Sequence, residues 1–426
     1  MMGKLKSFEI VLDNNRSVFH PGERVQGKCV VDVKGELKLK ALKIFMRGLA
    51  KVHWTEPRST GTRLGSYTEH YNSEVEYFFK RQTLHGADIP DQPRETLSDG
   101  RHEFEFCFEL PFQCIATSFE GKHGNIRYWL KGELEKPWAF NHKTKKAFTV
   151  ISPIDINKQE YQLPVENSVE KSLCCWLCIS GPISVCARTD RRGYCPGESI
   201  AISADFENHS SRTIIPYATL HQTQTFFANG KSRLRSTKFT VLTGLPITPG
   251  NRATWDAQLL KIPAVSPSII NCGIIKVEYY VKVALHIPGA YNLSVHLPIV
   301  IGTVPYRRFS PYMVSYPRVI EEVGVSYFDS RMLPVPPPYR EMSPPLPAIE
   351  APPTYAETYS GAVDIRDEDD DDNRGVNMGD WTYTPMYTYV YGYRYRPPPA
   401  YSEIDPNPVT EDQASNVAEQ SSNTRL

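Results

Sequence analysis

Apolar and polar residues alternate with a period of two along roughly the first 300 residues of this chain. Phe8, Ile10 and Leu12 form one such row, and Val25, Gly27, Cys29, Val31 and Val33 form a second. Leu42, Ile44, Met46, Gly48, Ala50, Val52 and Trp54 form a third, and Phe104, Phe106, Phe108 and Leu110 a fourth. Each row predicts a strand with one face buried. No stretch of comparable length carries a helical stripe, and pairs such as Pro21-Gly22 and Pro196-Gly197 punctuate the runs as turns. The pattern predicts an all-β protein of antiparallel β-sandwich type.

The second half of the strand-rich region repeats the first. Phe19-His20-Pro21-Gly22-Glu23-Arg24-Val25 returns 175 residues later as Tyr194-Cys195-Pro196-Gly197-Glu198-Ser199-Ile200. Ile126-Arg127-Tyr128-Trp129-Leu130-Lys131 returns 151 residues later as Val277-Glu278-Tyr279-Tyr280-Val281-Lys282. An internal repeat fixes the domain count without any homologue. The division it predicts is a first sandwich over 1–157, a linker over 158–179 containing cysteines, and a second sandwich over 180–305.

After Gly302 the alternation fades, and residues 306–426 hold 17 Pro and 14 Tyr, a composition that buries too little apolar surface to offset chain entropy. That tail is expected to be disordered. It contains three copies of P-P-x-Y: Pro336-Pro337-Pro338-Tyr339, Pro352-Pro353-Thr354-Tyr355 and Pro398-Pro399-Ala400-Tyr401. Even at the biased composition of the tail, chance accounts for only about 0.3 copies. Paired prolines hold a segment near polyproline II, so it loses little entropy on docking in the aromatic groove of a WW domain. The candidate WW-binding residues are therefore Pro336, Pro337 and Tyr339, Pro352, Pro353 and Tyr355, and Pro398, Pro399 and Tyr401. Tyr387, Tyr389, Tyr391, Tyr393 and Tyr395 alternate strictly, a run that could add a strand to a sheet edge.

A formal charge of zero conceals an asymmetry, because residues 1–305 carry a net +9 and the tail −9, with Asp367 to Asp372 an unbroken acidic run. A mildly basic body suits anionic lipid or phosphorylated partners, and peripheral membrane association is one consequence. Lys43, Arg47 and Lys51 share the face of their strand opposite the apolar row and are a candidate anion-binding face; a plain solvated sheet face is the competing reading. Nucleic acid is disfavoured, since no reading module or basic stripe accompanies the charge.

No stretch has the layout of a signal peptide and no run approaches the ~20 apolar residues of a membrane span, so a cytoplasmic protein recruited to membranes is expected. Nine cysteines, scattered among strand patterns, read as thiols in a reducing compartment rather than a disulfide framework. Cys174, Cys175 and Cys178 cluster in the linker, where reversible palmitoylation and inert burial are the two readings. A second close pair for zinc is lacking, and no G-x-S-x-G, H-E-x-x-H, P-loop or kinase signature occurs, so neither metal, cofactor nor catalysis is expected.

Several stretches resemble the recurring signatures of the alpha-arrestins, the arrestin domain-containing proteins, and in particular of their members two to four. These are Trp54-Thr55-Glu56-Pro57-Arg58, Thr117-Ser118-Phe119-Glu120-Gly121-Lys122-His123-Gly124, Arg127-Tyr128-Trp129, Gly193-Tyr194-Cys195-Pro196-Gly197-Glu198, Leu297-Pro298-Ile299-Val300-Ile301-Gly302-Thr303 and Tyr401-Ser402-Glu403-Ile404-Asp405-Pro406-Asn407-Pro408. The resemblance implies two tandem arrestin-like sandwiches in a non-catalytic adaptor. Such an adaptor brings WW-bearing HECT-type ubiquitin ligases to membrane receptors and transporters, promoting their ubiquitination, endocytosis and endosomal sorting. An arrestin-shaped trafficking or sorting-coat subunit that needs no ligase is the alternative, and the P-P-x-Y motifs discriminate the two. The thioredoxin-binding branch has a cysteine two residues after a Gly and three before a Trp, where Gly250 and Trp255 here flank Arg252, so thioredoxin capture is not expected.

Overall fold

The computed structural model describes residues 4–59, 66–86, 95–112, 115–137, 139–175, 178–306, 362–366 and 375–390, with 173–175 and 178–180 described by their backbone. The first sandwich begins with β1 (Lys4–Leu12), β2 (Val18–Phe19), β3 (Arg24–Lys34), β4 (Leu37–Leu39), β5 (Ala41–Ser59) and β6 (Ser66–Gly86). It continues with β7 (Glu95–Leu97), β8 (Gly100–Glu109), β9 (Phe119–Gly121), β10 (Gly124–Glu135) and β11 (Asn141–Val150). The second holds β12 (Val165–Cys175), β13 (Cys178–Thr189), β14 (Gly193–Tyr194), β15 (Ser199–Asn208), β16 (Ile215–Ala228), β17 (Lys231–Thr243), β18 (Arg252–Lys261), β19 (Ile275–His286) and β20 (Leu293–Ile301). Among the described residues of the tail lie three short strands, β21 (Val363–Asp364), β22 (Gly375–Met378) and β23 (Thr382–Tyr383).

One sheet of the first sandwich runs β1-β3-β8 and the other β2-β11-β10-β5-β6; the second sandwich repeats this with β12-β13-β15-β18 and β14-β20-β19-β16-β17. The rows expected to be buried supply the core: Phe8, Val25, Cys29, Val31, Ile44, Met46 and Phe106 lie within it. Phe104 is only half-buried, at the margin of the same cluster.

The repeat extends to hydrogen bonds. Gly22 and Gly197 both sit at positive φ, 83° and 91°, where a side chain would be strained. In each turn the following glutamate closes the loop: Glu23 Oε2 accepts from the His20 amide at 2.7 Å, and Glu198 Oε2 from the Cys195 amide at 3.0 Å. Tyr128 on β10 donates to the Ala116 carbonyl at 2.6 Å, and its counterpart Tyr279 on β19 to the Ser266 carbonyl at 2.7 Å. Backbone and buried tyrosine are thus satisfied by the same device twice.

Two expectations need amendment. The segment 158–179 is not all linker, since β12 pairs with β13 from Val165↔Thr189 to Cys175↔Cys178 and forms the edge of the second sandwich. Its residues Glu166, Asn167, Ser168 and Glu170 are exposed, so no hydrophobic row marked it as a strand. The tail is also not uniformly without order, because 362–366 and 375–390 pack on the body; the other residues from 307 onward lie outside the described residues.

Candidate partner-docking surfaces

The candidate anion-binding residues Lys43, Arg47 and Lys51 do share the outer face of β5, and the register sets beside them a second basic row on β10. Leu49 lies opposite Arg127, Arg47 opposite Trp129 and Phe45 opposite Lys131. Lys43, Arg47, Lys51 and Arg127 are engaged with neighbouring carboxylates. Lys43 Nζ meets Glu135 at 2.6 Å with 8% of its side chain exposed, Arg47 meets Glu76 at 2.6 Å and Glu74 at 3.2 Å, and Lys51 meets Glu74 at 3.8 Å. Arg127 forms a two-pronged pair with Glu120 at 2.6 and 3.0 Å. The face therefore presents ion pairs rather than a row of unpaired cations, and an anion would have to displace carboxylates held within the same sheet.

The tail covers the far edge of this face as a strap. β22 adds to β11 in parallel, with Asn141↔Gly375 and Thr144↔Met378 in register. Ile365, Trp381 and Tyr383 then form a buried apolar cluster with Ala147 and Val363. Lys145, 3% exposed, sits between two indole faces, 4.5 Å from the Trp129 ring centre and 5.8 Å from that of Trp381, and donates to the Ile365 carbonyl at 2.8 Å. A buried ammonium is tolerable only with such partners. Further along, Tyr383 shares a hydrogen bond with Thr149 at 3.2 Å, Met386 donates its amide to Thr149 Oγ1 at 3.1 Å and Tyr387 donates to the Ser118 carbonyl at 2.9 Å. The last described residues of the strap reach the second sandwich, where Tyr387 and Tyr389 pack on Ala264 and the Val390 amide donates to the Pro196 carbonyl at 2.8 Å.

Charge follows the same sense. Arg366 holds the Asp364 carboxyl below its usual range, and Arg127 of the body adds a smaller pull. One acidic residue of the tail, Asp364, thus lies within the field of Arg127 on the body.

At the foot of the second sandwich Arg191 meets Glu198 at 3.0 Å with 7% and 2% of their side chains exposed, and its guanidinium lies over the rings of Tyr194 at 4.6 Å and Tyr306 at 5.0 Å. Tyr194 donates to Asp190 at 2.6 Å. Burial outweighs the nearby guanidinium here and pushes the Glu198 and Asp190 carboxyls above their usual range. The first sandwich has the same spacing in the Arg16–Glu23 pair, which lies near the surface. The sequence reading noted the Pro-Gly-Glu turn and missed the arginine, whose only signal is the spacing of seven residues in both halves.

Cys175 and Cys178 face each other in register at the turn of the β12–β13 hairpin, with Cys174 opposite Ile179. The side chains of these three cysteines lie outside the described residues, as do all nine WW-binding residues from Pro336 to Tyr401. Arg252, at the position that held a cysteine in the thioredoxin-binding pattern, opens β18 and meets Glu207 at 3.2 Å.

Two tandem sandwiches of matching topology, clasped by a returning tail, define an arrestin-type scaffold that offers docking surfaces. The sequence matches the model of the arrestin (or S-antigen) N-terminal domain over residues 8–157 and that of the C-terminal domain over 179–306. It is 35% identical over 414 residues to arrestin domain-containing protein 4 of Mus musculus, covering 95% of this chain and 94% of that protein. It is 34% identical to the Homo sapiens protein of the same name, over 98% of this chain and 96% of that one. Thioredoxin-interacting protein of Homo sapiens is 32% identical, over 95% and 97%. The chain belongs to the arrestin family, in its alpha-arrestin branch.

Proposed function

We propose that this chain is a non-catalytic adaptor whose body engages membrane receptors or transporters and whose tail recruits WW-domain HECT-type ubiquitin ligases, promoting ubiquitination, endocytosis and endosomal sorting of that cargo. The three P-P-x-Y motifs joined to an arrestin-family body carry the reading. Each motif offers a small, preordered contact, and several on one chain gain from effective concentration when the ligase bears several WW domains. The adaptor resides in the cytoplasm and is recruited to the plasma membrane and endosomes. Among the described residues no helix is long and apolar enough to cross a membrane.

The test is binding of the full chain to single and tandem WW domains, with Tyr339, Tyr355 and Tyr401 replaced by Ala singly and together. A single replacement should weaken tandem binding far more than single-domain binding, and the triple variant should bind neither. Undiminished binding by the triple variant overturns the ligase assignment.

A further inference from the structure

Two tyrosines of the strap, four residues apart, set their hydroxyls on one place in the first sandwich. Tyr383, 7% exposed, shares a hydrogen bond with Thr149 Oγ1 at 3.2 Å, and Tyr387, 8% exposed, donates to the Ser118 carbonyl at 2.9 Å. Thr149 and Ser118 are themselves buried, and Ser118 is fixed to the end of β11 in both directions. Its amide donates to the Val150 carbonyl and its Oγ accepts from the Val150 amide, each at 2.9 Å. At hydrogen-bond distance neither tyrosine oxygen leaves space for a phosphoryl group between ring and body. The two tyrosines open successive segments, Tyr383-Thr384-Pro385-Met386 and Tyr387-Thr388-Tyr389-Val390, each with an apolar residue three positions on. Met386 and Val390 anchor the strap by their amides, on Thr149 Oγ1 at 3.1 Å and on the Pro196 carbonyl at 2.8 Å. Pro385 fixes its own φ and confines Thr384 to extended backbone, so the first segment keeps an extended form on the body and off it.

We propose that Tyr383 is a phosphorylation site, closed while the strap is docked, and that its modified form, read together with Met386, is a docking segment for a phosphotyrosine-binding domain of the SH2 type. In the reaction the phenolic oxygen attacks the γ-phosphorus of a nucleoside triphosphate bound to a tyrosine kinase. A new O–P bond forms, the bond to the diphosphate breaks, the diphosphate leaves and the phenolic proton passes to the kinase's base. The kinase needs that oxygen in its own active site, so only the undocked strap is a substrate. Once made, the modification opposes return. The phosphate carries a charge of about −1.5 to −2 at neutral pH and has acceptor oxygens alone, which the acceptor carbonyl of Ser118 cannot satisfy. Burial, and to a smaller degree the Glu120 carboxylate, already disfavour negative charge on the Tyr383 oxygen, outweighing the hydrogen bonds of Ser118 and Thr149 and the pull of Arg127. Arg127 is itself held by Glu120 at 2.6 and 3.0 Å. Off the body the phosphate pairs with the arginines of the SH2 pocket, and Met386, unbranched and adaptable, fills an apolar pocket three residues on.

The full chain, incubated with a purified cytoplasmic tyrosine kinase domain and MgATP, tests this, with phosphate at Tyr383 followed by mass spectrometry. Thr149→Val loosens the strap from the body side and leaves the kinase's substrate sequence unaltered. It should speed modification of Tyr383 about ten-fold, because the rate follows the undocked population and one to two hydrogen bonds are lost. Thermal melting within a few degrees of wild type confirms that the body of this variant is folded. In the phosphorylated chain the Met386 and Val390 amides should exchange hydrogen at the rate of a free peptide. A purified SH2 domain that selects Met three residues after phosphotyrosine should bind the phosphorylated chain, lose binding to Tyr383→Phe treated in the same way, and bind Met386→Ala about ten-fold more weakly. None of these readouts depends on WW binding. Absence of phosphate at Tyr383 in both proteins, equal rates in the two, amide protection retained after modification, or SH2 binding undiminished in Tyr383→Phe would each overturn the proposal.

Discussion

Arg191 and Glu198 meet at 3.0 Å in the interior of the second sandwich, seven residues apart in sequence, and Arg16 and Glu23 repeat the spacing near the surface of the first. One motif has been given two dielectric environments. Removing one partner of a buried pair leaves an uncompensated charge, whereas an exposed pair is already screened by water.

Glu198→Ala is therefore predicted to lower unfolding free energy by about 3 kcal/mol, since it takes from Arg191 its carboxylate at 3.0 Å, leaving Asp190 at 3.6 Å, and removes the acceptor of the Cys195 amide. Glu23→Ala should cost about 1 kcal/mol, mostly the lost turn bond to His20. Urea denaturation of the two variants side by side checks the ratio. Equal costs would mean that the two environments do not differ as their exposures indicate.

The core is predicted to be intolerant at Phe106, 3% exposed and packed 6.1 Å ring to ring from Phe108. Phe106→Ala should cost about 3–5 kcal/mol through lost transfer energy and the cavity left behind. Melting close to wild type would show that the neighbouring strands collapse into the space.

Much of this architecture was legible because a sheet face writes itself as a period of two: the rows from Val25 to Val33 and from Leu42 to Trp54 became central strands with the expected faces inward. The repeat was legible for the same reason, as equal strands need equal turns. β12 was not, since an edge strand with Glu166, Asn167 and Glu170 exposed has no apolar row to display. The strap was hidden by composition. Its anchors Ile365, Trp381 and Tyr383 are few among Pro, Tyr and acidic residues, and the site that receives them lies more than 200 residues earlier, at Lys145 and Thr149. Likewise, the pairing of Lys43, Arg47 and Lys51 with Glu135, Glu74 and Glu76 depends on strand register, which the residues of one strand do not encode.

A pH dependence follows from His142, half-buried on β11 with Nε2 2.6 Å from Lys136 Nζ. Burial first, and Lys136 second, lower its pKa to about 4. The unfolded chain therefore binds more protons between about 4 and 6.5, and stability present above 6.5 is lost as pH falls through that window. The ring is partly solvated, so the expected loss is about 1 kcal/mol rather than the ~3 kcal/mol of a fully desolvated group. His142→Gln should flatten this part of the stability curve. Glu198 and Asp190, with raised pKa values, contribute with the opposite sign in wild type and variant alike, so the difference curve isolates the imidazole.

The last prediction concerns the strap, whose hold depends on a few side chains rather than on a long ladder. Three of its backbone amides have partners that place them in the body or in the strap's own fold: Met386 on Thr149 Oγ1 at 3.1 Å, Val390 on the Pro196 carbonyl at 2.8 Å and Ile365 on the Trp381 carbonyl at 2.9 Å. Hydrogen exchange should therefore be slowed at these amides relative to a free peptide of the same sequence. Trp381 closes the cluster over Lys145 and covers Ile365, so Trp381→Ala should remove about 3–5 kcal/mol of local packing and bring all three amides close to the free-peptide rate. The body should remain folded, because its sheets close without the strap: Phe106 and Tyr128 lie in a separate core cluster from Trp381. Thr149 is the internal control. Its own amide is held by the Ser17 carbonyl at 2.8 Å and should stay protected when the strap leaves, whereas simultaneous loss at Thr149 and Val390 would show that the first sandwich and the strap unfold as one unit.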